Sequence, residues 1–252
     1  MQPLYAFWCR TPSQGNVGDS LTPWLIQRIT GRYPTFARPS LPVPKYMVTG
    51  SIIRYAQDNC LVWGSGLMSR GDTVSPQAKL FSVRGPLTRE AALRSGASCP
   101  EFYGDPALLL PRFYCPAHTR RSGLGLIPHF ADKPRVAGQM APSASLRILD
   151  VQQPVTSFVD QLTSCEFVAS SSLHGIIISH AYGIPAAWVQ FSPLPSGDGS
   201  KFYDYFLSIG QPTRAPVQLT PARIDYDEIV ANLLPPVINL DLDRLLESCP
   251  FR

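Results

Sequence analysis

Proline fills 26 of the 252 positions, roughly twice the usual share, and no other feature constrains the fold as strongly. Each proline ends or kinks a helix and removes a donor from a sheet ladder. The chain is therefore confined to short elements with hard stops, which excludes a bundle of long helices. Its residues are 44% hydrophobic and the mean hydropathy is −0.00, enough to bury a sizeable core and to exclude global disorder. This length suits one large domain or two of about 125 residues each.

Between the stops, short apolar runs alternate in type. Residues 4–9, 46–49, 61–63, 80–83 and 101–103 read as strands, and 21–29, 52–55 and 87–95 as helices. Pro23 is expected in the first turn of its helix, and Gly96 closes the third. Residues 111–122 carry two prolines and three arginines without periodicity, the best linker in the chain, with His118 inside it. The pattern then restarts with strands at 124–128, 146–150, 167–169 and 186–190, and helices at 155–163 and 173–182. The prediction is α/β: two halves, 1–115 and 116–252, each a mostly parallel sheet covered on both faces, with the site in the cleft between them.

Charge divides along the same line. Residues 1–125 hold 14 basic and 6 acidic side chains, whereas residues 126–252 hold 8 and 12. Arginine outnumbers lysine 18 to 4, which suits bidentate recognition of phosphate or carboxylate, although a biased genome gives the same ratio. The six cysteines form no CxxC and no close pair, so neither a zinc knuckle nor a disulfide framework is expected. With no secretory leader and no membrane span in sight, the expected setting is cytoplasmic, with reduced thiols.

Small residues follow several of the predicted strands, where open α/β sheets bind ligands. These segments are GNVGD (15–19), WGSG (63–66), VRGP (83–86), YGDP (103–106), IPHF (127–130) and SSSLHG (170–175). The sharpest is the last. Ser170, Ser171 and Ser172 can cap a helix whose first turn holds His174 and Gly175, an end that attracts anions through its free N–H groups and dipole. A histidine there can move a proton near neutral pH, and the plain alternative is an ordinary capped helix. His129 can line the cleft, while His180 lies on another helical face and reads as structural. Arg84, fixed by the following Gly-Pro, is either an anion clamp or the partner of Glu90 or another nearby acid. Asp19 and Asp105 face the cleft or merely cap the next helix. The run KFYDYF offers Lys201, Asp204 and Tyr205 on either a mobile flap or a packed helix. Asn16, Gly18, Gly64 and Ser65 complete the cleft candidates. WGSGLMSRG lacks the third glycine of a dinucleotide fingerprint, and no P-loop, HExxH or other metal pattern occurs. Basic residues do not interleave with aromatics, so no nucleic-acid partner is expected.

Taken in order, NVGDSL, VWGSGL, VRGPLTR, YGDPALLLP, IPHF, SSSLHGIIISHAYGIPA and KFYDYF resemble the polysaccharide pyruvyl transferase family over residues 16–210. The likeness is strongest to the short bacterial exopolysaccharide enzymes of the xanthan type. That resemblance implies a GT-B-like fold, with two Rossmann-like domains facing across a cleft. It also implies phosphoenolpyruvate as co-substrate, a lipid-linked oligosaccharide acceptor at the cytoplasmic membrane face, and a ketal product. His174 would be the catalytic histidine and Arg84 the arginine that holds the donor. Many members carry arginine directly before Leu-His where this chain has Ser172, so the donor's second anionic group turns to Lys201, Arg89 or helix N–H groups. Asp19 or Asp105 would serve as base, and no cofactor or metal is required. The basic first half would take the acceptor and rest against anionic lipid. Two rival readings are a GT-B glycosyltransferase using a nucleotide sugar and a non-catalytic polysaccharide-binding relative. The first needs an acid after the donor helix, where 182–185 offer none; the second has only Ser172 in its favour.

Overall fold

A computed structural model describes residues 3–10, 15–117, 121–139, 143, 145–193, 196–220 and 224–252; His118 lies outside them. The chain divides into two compact units. The first comprises Met1–Leu109, Ser196–Thr213 and Asn239–Arg252, and the second Leu110–Pro195 and Arg214–Ile238. A single cut at 115/116 would assign both late segments of the first unit to the second.

The first unit opens with β1 (Tyr5–Ala6), α1 (Val17–Thr30), β2 (Thr35–Phe36), β3 (Lys45–Met47), β4 (Cys60–Trp63), β5 (Lys79–Ser82) and α2 (Pro86–Arg94). In the second unit the order is β6 (Leu124–Ile127), α3 (Lys133–Ala137), β7 (Leu146–Ile148), α4 (Val155–Thr163), β8 (Phe167–Ser170), α5 (Leu173–Ala181) and β9 (Ala186–Gln190). The chain then returns to the first unit with α6 (Ser200–Ser208), adds β10 (Val217–Gln218) and α7 (Tyr226–Ala231) to the second, and ends in the first with α8 (Leu242–Glu247).

Each unit is built on one five-stranded sheet whose described pairings are all parallel. The orders are β2-β1-β3-β4-β5 and β10-β9-β8-β6-β7. Counted within its own unit, each sheet runs 2-1-3-4-5, a doubly wound order that reverses direction between its first and third strands. The reversal falls at β1/β3 in one unit and at β6/β8 in the other. A parallel bridge between Val83 and Tyr103 extends the first sheet beyond β5, where the sequence predicts a strand at 101–103. The inner strands β4, β6, β8 and β9 are buried on both faces and read as apolar runs, whereas β5 alternates exposed and buried residues. Met47, Val62, Leu80 and Val83 pack with Ile53, Ala91 and Ala92 in the first unit. Leu126, Ala169, Ala187 and Val189 pack with Val136, Phe191 and Ile229 in the second.

Helix α1 begins four residues before the expected start because Asn16 accepts a hydrogen bond from Asp19 N at 3.1 Å and caps it. Pro23 therefore sits inside the helix, not in its first turn. Gly31, at φ 72°, ends the helix and donates its N–H to Gln27 O, a left-handed cap that favours glycine. Residues 52–55 form only a three-residue 3-10 turn, Ile53–Tyr55. The 200–208 segment is a packed helix, α6, and not a flap. α8 docks where Trp63 Nε1 donates to Leu245 O at 3.0 Å. Phe251 sets its ring edge-on to those of Trp63 and Tyr46. All six cysteines are free, and among the described residues no helix is long and apolar enough to cross a membrane.

Candidate functional site

Polar side chains collect at the carboxyl edge of each sheet. In the second unit, β6 and β8 are neighbours and their ends are tied by serines. Ser171 N donates to Ile127 O at 3.0 Å, and its hydroxyl accepts from His129 N at 2.8 Å. Ser170 Oγ lies 3.2 Å from Ile127 O and 2.8 Å from Ser172 O, and accepts from Ser172 N at 3.0 Å. Gly175 leaves room for that hydroxyl, since a Cβ there would collide with it. The expectation that serines cap α5 is therefore corrected. Ser170 and Ser171 fold the turn, and Ser172, the N-cap residue, makes no side-chain cap bond. The first turn of α5 thus keeps its positive end free of a side-chain cap. His174 lies in that turn, 8% exposed, at the strand reversal of the sheet.

His180 is structural, as its position suggests. Burial lowers its pKa from 6.5 to about 4, partly opposed by a hydrogen bond to the Leu234 backbone. Above pH 6.5 the imidazole is neutral in folded and unfolded chains alike. As pH falls from 6.5 towards 4, only the unfolded chain takes up the proton, so stability declines across that window. The loss expected from this group is on the order of 3 kcal/mol. Thermal melts at pH 7 and pH 4.5 should differ less for His180→Gln than for the parent; an unchanged difference would refute the assignment.

In the first unit, one buried ion pair organises the carboxyl edge. Arg84 is fully buried, and its Nε donates to Asp204 Oδ2 at 3.0 Å. Its Nη1 donates to Ser51 Oγ at 2.8 Å and its Nη2 to Leu67 O at 2.6 Å. The acid partner is thus Asp204 of α6, whereas Glu90 pairs with Arg94 at 3.5 Å. The clamp expected at Arg84 is turned inward. Asp204 also accepts from Thr88 N at 2.9 Å and Thr88 Oγ1 at 2.6 Å. Helix α2 has glycine at its N-cap, so α6 supplies the capping carboxylate from 116 residues away. The glycines of WGSG and VRGP now have a reason. A Cβ on Gly66 would strike the Arg84 guanidinium, and one on Gly85 would strike Asp204.

Lys201 stands three residues before Asp204, 6% exposed, with its Nζ donating to Ser196 Oγ at 3.1 Å. Burial lowers its pKa to about 8; Arg84 lowers it further and Asp19 opposes the shift. Asp19 occupies the first turn of α1 beside its cap Asn16. Gly18 O accepts from Thr49 Oγ1 at 3.0 Å, joining that turn to the end of β3. Ser65 is spent on Val48 O at 3.1 Å, and Gly64, at φ 85°, leaves no space for a side chain against Pro106. Asp105 is fully buried, and its Oδ1 accepts from Ala107 N at 3.0 Å, capping the turn Pro106–Arg112. Tyr205 is also fully buried, and burial, with Asp105 adding to it, pushes its phenol well above the usual range. Asn16, Gly18, Asp19 and Lys201 thus share the edge of the first sheet, while Ser65, Asp105, Asp204 and Tyr205 are packed into its support. His129 and Ser170–Gly175 share the edge of the second. Asp204 as a remote helix cap escaped the sequence reading; the only signal was a glycine N-cap with no acid beside it. Among the described residues, no three His, Cys, Asp or Glu side chains gather to hold a metal ion.

Two parallel five-stranded sheets with polar groups on their carboxyl edges define the chain as a doubly wound α/β protein, a class whose ligand sites lie at the strand reversal. The model for polysaccharide pyruvyl transferases matches residues 16–193, well over half the chain. The chain belongs to the polysaccharide pyruvyl transferase family. It is 26% identical over 229 residues to succinoglycan biosynthesis protein ExoV of Rhizobium meliloti (strain 1021), covering 86% of this chain and 68% of that protein. It is 32% identical over 176 residues to uncharacterized protein L143 of Acanthamoeba polyphaga mimivirus, covering 66% of this chain and 61% of the relative. No solved structure matches the chain significantly.

Proposed function

We propose that the protein transfers pyruvate from phosphoenolpyruvate to a terminal sugar of a lipid-linked exopolysaccharide unit, forming a ketal and releasing phosphate. The observation that carries this reading is His174 in the first turn of α5, at the strand reversal of the second sheet, within the segment matched by the family. The name of the relative ExoV, a succinoglycan biosynthesis protein, supports an exopolysaccharide as the product. The GT-B-like arrangement belongs to the same proposal, with both Rossmann-like units serving one reaction.

In this mechanism, imidazolium at His174 gives a proton to the methylene carbon, and the enol carbon becomes electrophilic. A sugar hydroxyl adds to that carbon and passes its proton to a carboxylate, Asp19 or Asp105, of which Asp105 is fully buried. The C–O bond to phosphate then breaks, and phosphate leaves with the bonding pair. A second hydroxyl adds to the same carbon and closes the ketal; its proton returns to His174, and the proton held by the carboxylate leaves on the phosphate. The first-turn N–H groups of α5 and the Lys201 ammonium neutralise the donor's phosphate and carboxylate. Arg84 acts as a positioning residue that fixes α6, and with it Lys201. The protein would work at the cytoplasmic face of the membrane, its basic residues against anionic lipid.

Acceptor-dependent phosphate release from phosphoenolpyruvate, with a lipid extract of a polysaccharide-producing strain as acceptor and UDP-glucose as control donor, tests the reading. Release with UDP-glucose alone would replace it by glycosyl transfer. Lys201 supplies a second check. Its ammonium is present below about pH 8 and is lost as pH rises through that value. The KM for phosphoenolpyruvate should therefore rise above pH 8 in the parent, and Lys201→Met should show a KM raised about tenfold and independent of pH across that range. A parental KM that is flat from pH 7 to 9 would remove Lys201 from the donor site.

A further inference from the structure

The carboxyl ends of β1 and β2 in the first unit frame a cavity of about 390 Å³, lined by Arg10, Phe36, Arg38, Ser40 and Leu41. That volume lies within the usual range of small-ligand sites. Its floor is set by strand pairing: Ala6 stands opposite Phe36, and Ala37 N donates to Ala6 O at 2.8 Å. Trp8, beyond the end of β1, meets the Phe36 ring edge-on at 5.0 Å and holds it upright. The Arg10 guanidinium lies over the same ring, 4.7 Å from its centre. This cation–π contact holds the guanidinium against the ring and leaves N–H groups for a ligand.

The opposite wall is pinned from beneath. Lys45 is fully buried, and its ammonium donates to Pro39 O at 3.2 Å, Leu41 O at 2.7 Å and Asn59 Oδ1 at 2.9 Å. With those carbonyls drawn inward, the turn presents Arg38, Ser40 and Leu41, all exposed, at the cavity. A buried lysine is a costly anchor for a surface turn that does nothing. Among the described residues no carboxylate pairs with Arg10 or Arg38.

We infer that this cavity is a binding site for a phosphorylated saccharide, with Arg10 and Arg38 holding the phosphate and Phe36, Ser40 and Leu41 meeting the sugar ring. Two guanidiniums match the oxygens of one phosphate, and an aromatic face with a hydroxyl beside it suits a ring with one apolar side and one polar edge. The inference deepens the proposed function, on which it rests for its role: the site would hold the phosphorylated sugar at the base of the acceptor.

The test is calorimetric titration of the whole protein, without phosphoenolpyruvate, using glucose 1-phosphate, glucose and inorganic phosphate as separate probes. Glucose 1-phosphate should bind at least tenfold more tightly than either of the others, and Arg10→Ala/Arg38→Ala should lose at least tenfold of that affinity. Both arginines are exposed, so the double variant should melt with the parent. Ser40→Ala, a milder change, should weaken glucose 1-phosphate and leave phosphate unaffected. Equal affinity for inorganic phosphate and glucose 1-phosphate would overturn the saccharide assignment, and equal affinity of parent and double variant would overturn the site. Binding intact in a protein that releases no phosphate from phosphoenolpyruvate would defeat pyruvyl transfer alone. Transfer that survives in the double variant with undiminished acceptor affinity would defeat this inference alone.

Discussion

His174→Ala is expected to lower acceptor-dependent phosphate release by about 10²- to 10⁴-fold, the usual yield of a positioned proton donor. The serine turn is closed by Ser170 and Ser171 with Ile127 and His129. Circular dichroism and the affinity for glucose 1-phosphate should therefore match the parent. His174→Gln keeps a donor but offers no acid near neutral pH, so it should be nearly as inactive as His174→Ala. Either variant retaining most of its turnover would refute the assignment of His174 as the acid.

Removing one partner of the Arg84–Asp204 pair is the largest stability change expected of a single substitution. Arg84→Ala would strand a fully buried carboxylate, held among the described residues by Thr88 alone, beside a void where the guanidinium lay. Breaking buried pairs in this way costs about 3–5 kcal/mol, which in a chain of this size corresponds to a melting point lower by on the order of 10 °C. Arg84→Met combined with Asp204→Leu should recover most of that loss. It should not recover all of it, because α2 then lacks its cap, worth about 1 kcal/mol. Differential scanning calorimetry distinguishes these outcomes, and an Arg84→Ala protein melting with the parent would contradict the buried-pair account.

Local chemistry explains which elements the sequence revealed. The 155–163 and 186–190 runs match α4 and β9 to the residue: Pro154 starts the first, and Pro185 with the Gly183 turn sets up the second. Both sit in stretches where stop signals and apolar period agree. Helix α3 and strands β2 and β10 were not foreseen because five or fewer residues give too little period to see. α7 and α8 have acid caps, Asp225 and Asp241, that mark their starts, but their short apolar faces are completed only by tertiary neighbours. The site divides in the same way. His174, Asn16 and Asp19 were legible from a strand followed by a capped turn. The orientation of Arg84 was not, because its partner lies 120 residues on and one-dimensional spacing carries no information about that approach. Nor was the arginine-lined cavity, since Arg10 and Phe36 meet only when β1 pairs with β2.

The route of the chain through the first unit bears on its synthesis. Five strands and two helices of that unit leave the ribosome first, yet α6 and α8 follow only after almost the whole second unit has been made. At about 5–20 residues per second, Arg84 waits several seconds for its counter-ion. During that interval the Trp63 indole lacks the cover of α8, and α2 lacks its cap. A nascent chain arrested near residue 115 should therefore be loosely packed and sensitive to protease, and should acquire full protection only when α6 and then α8 have emerged. The second unit has the opposite fortune up to β9, and its first four strands, neighbours in the sheet, can assemble as they emerge. Biogenesis of this protein is thus expected to run out of numerical order, with the segment translated first becoming rigid last.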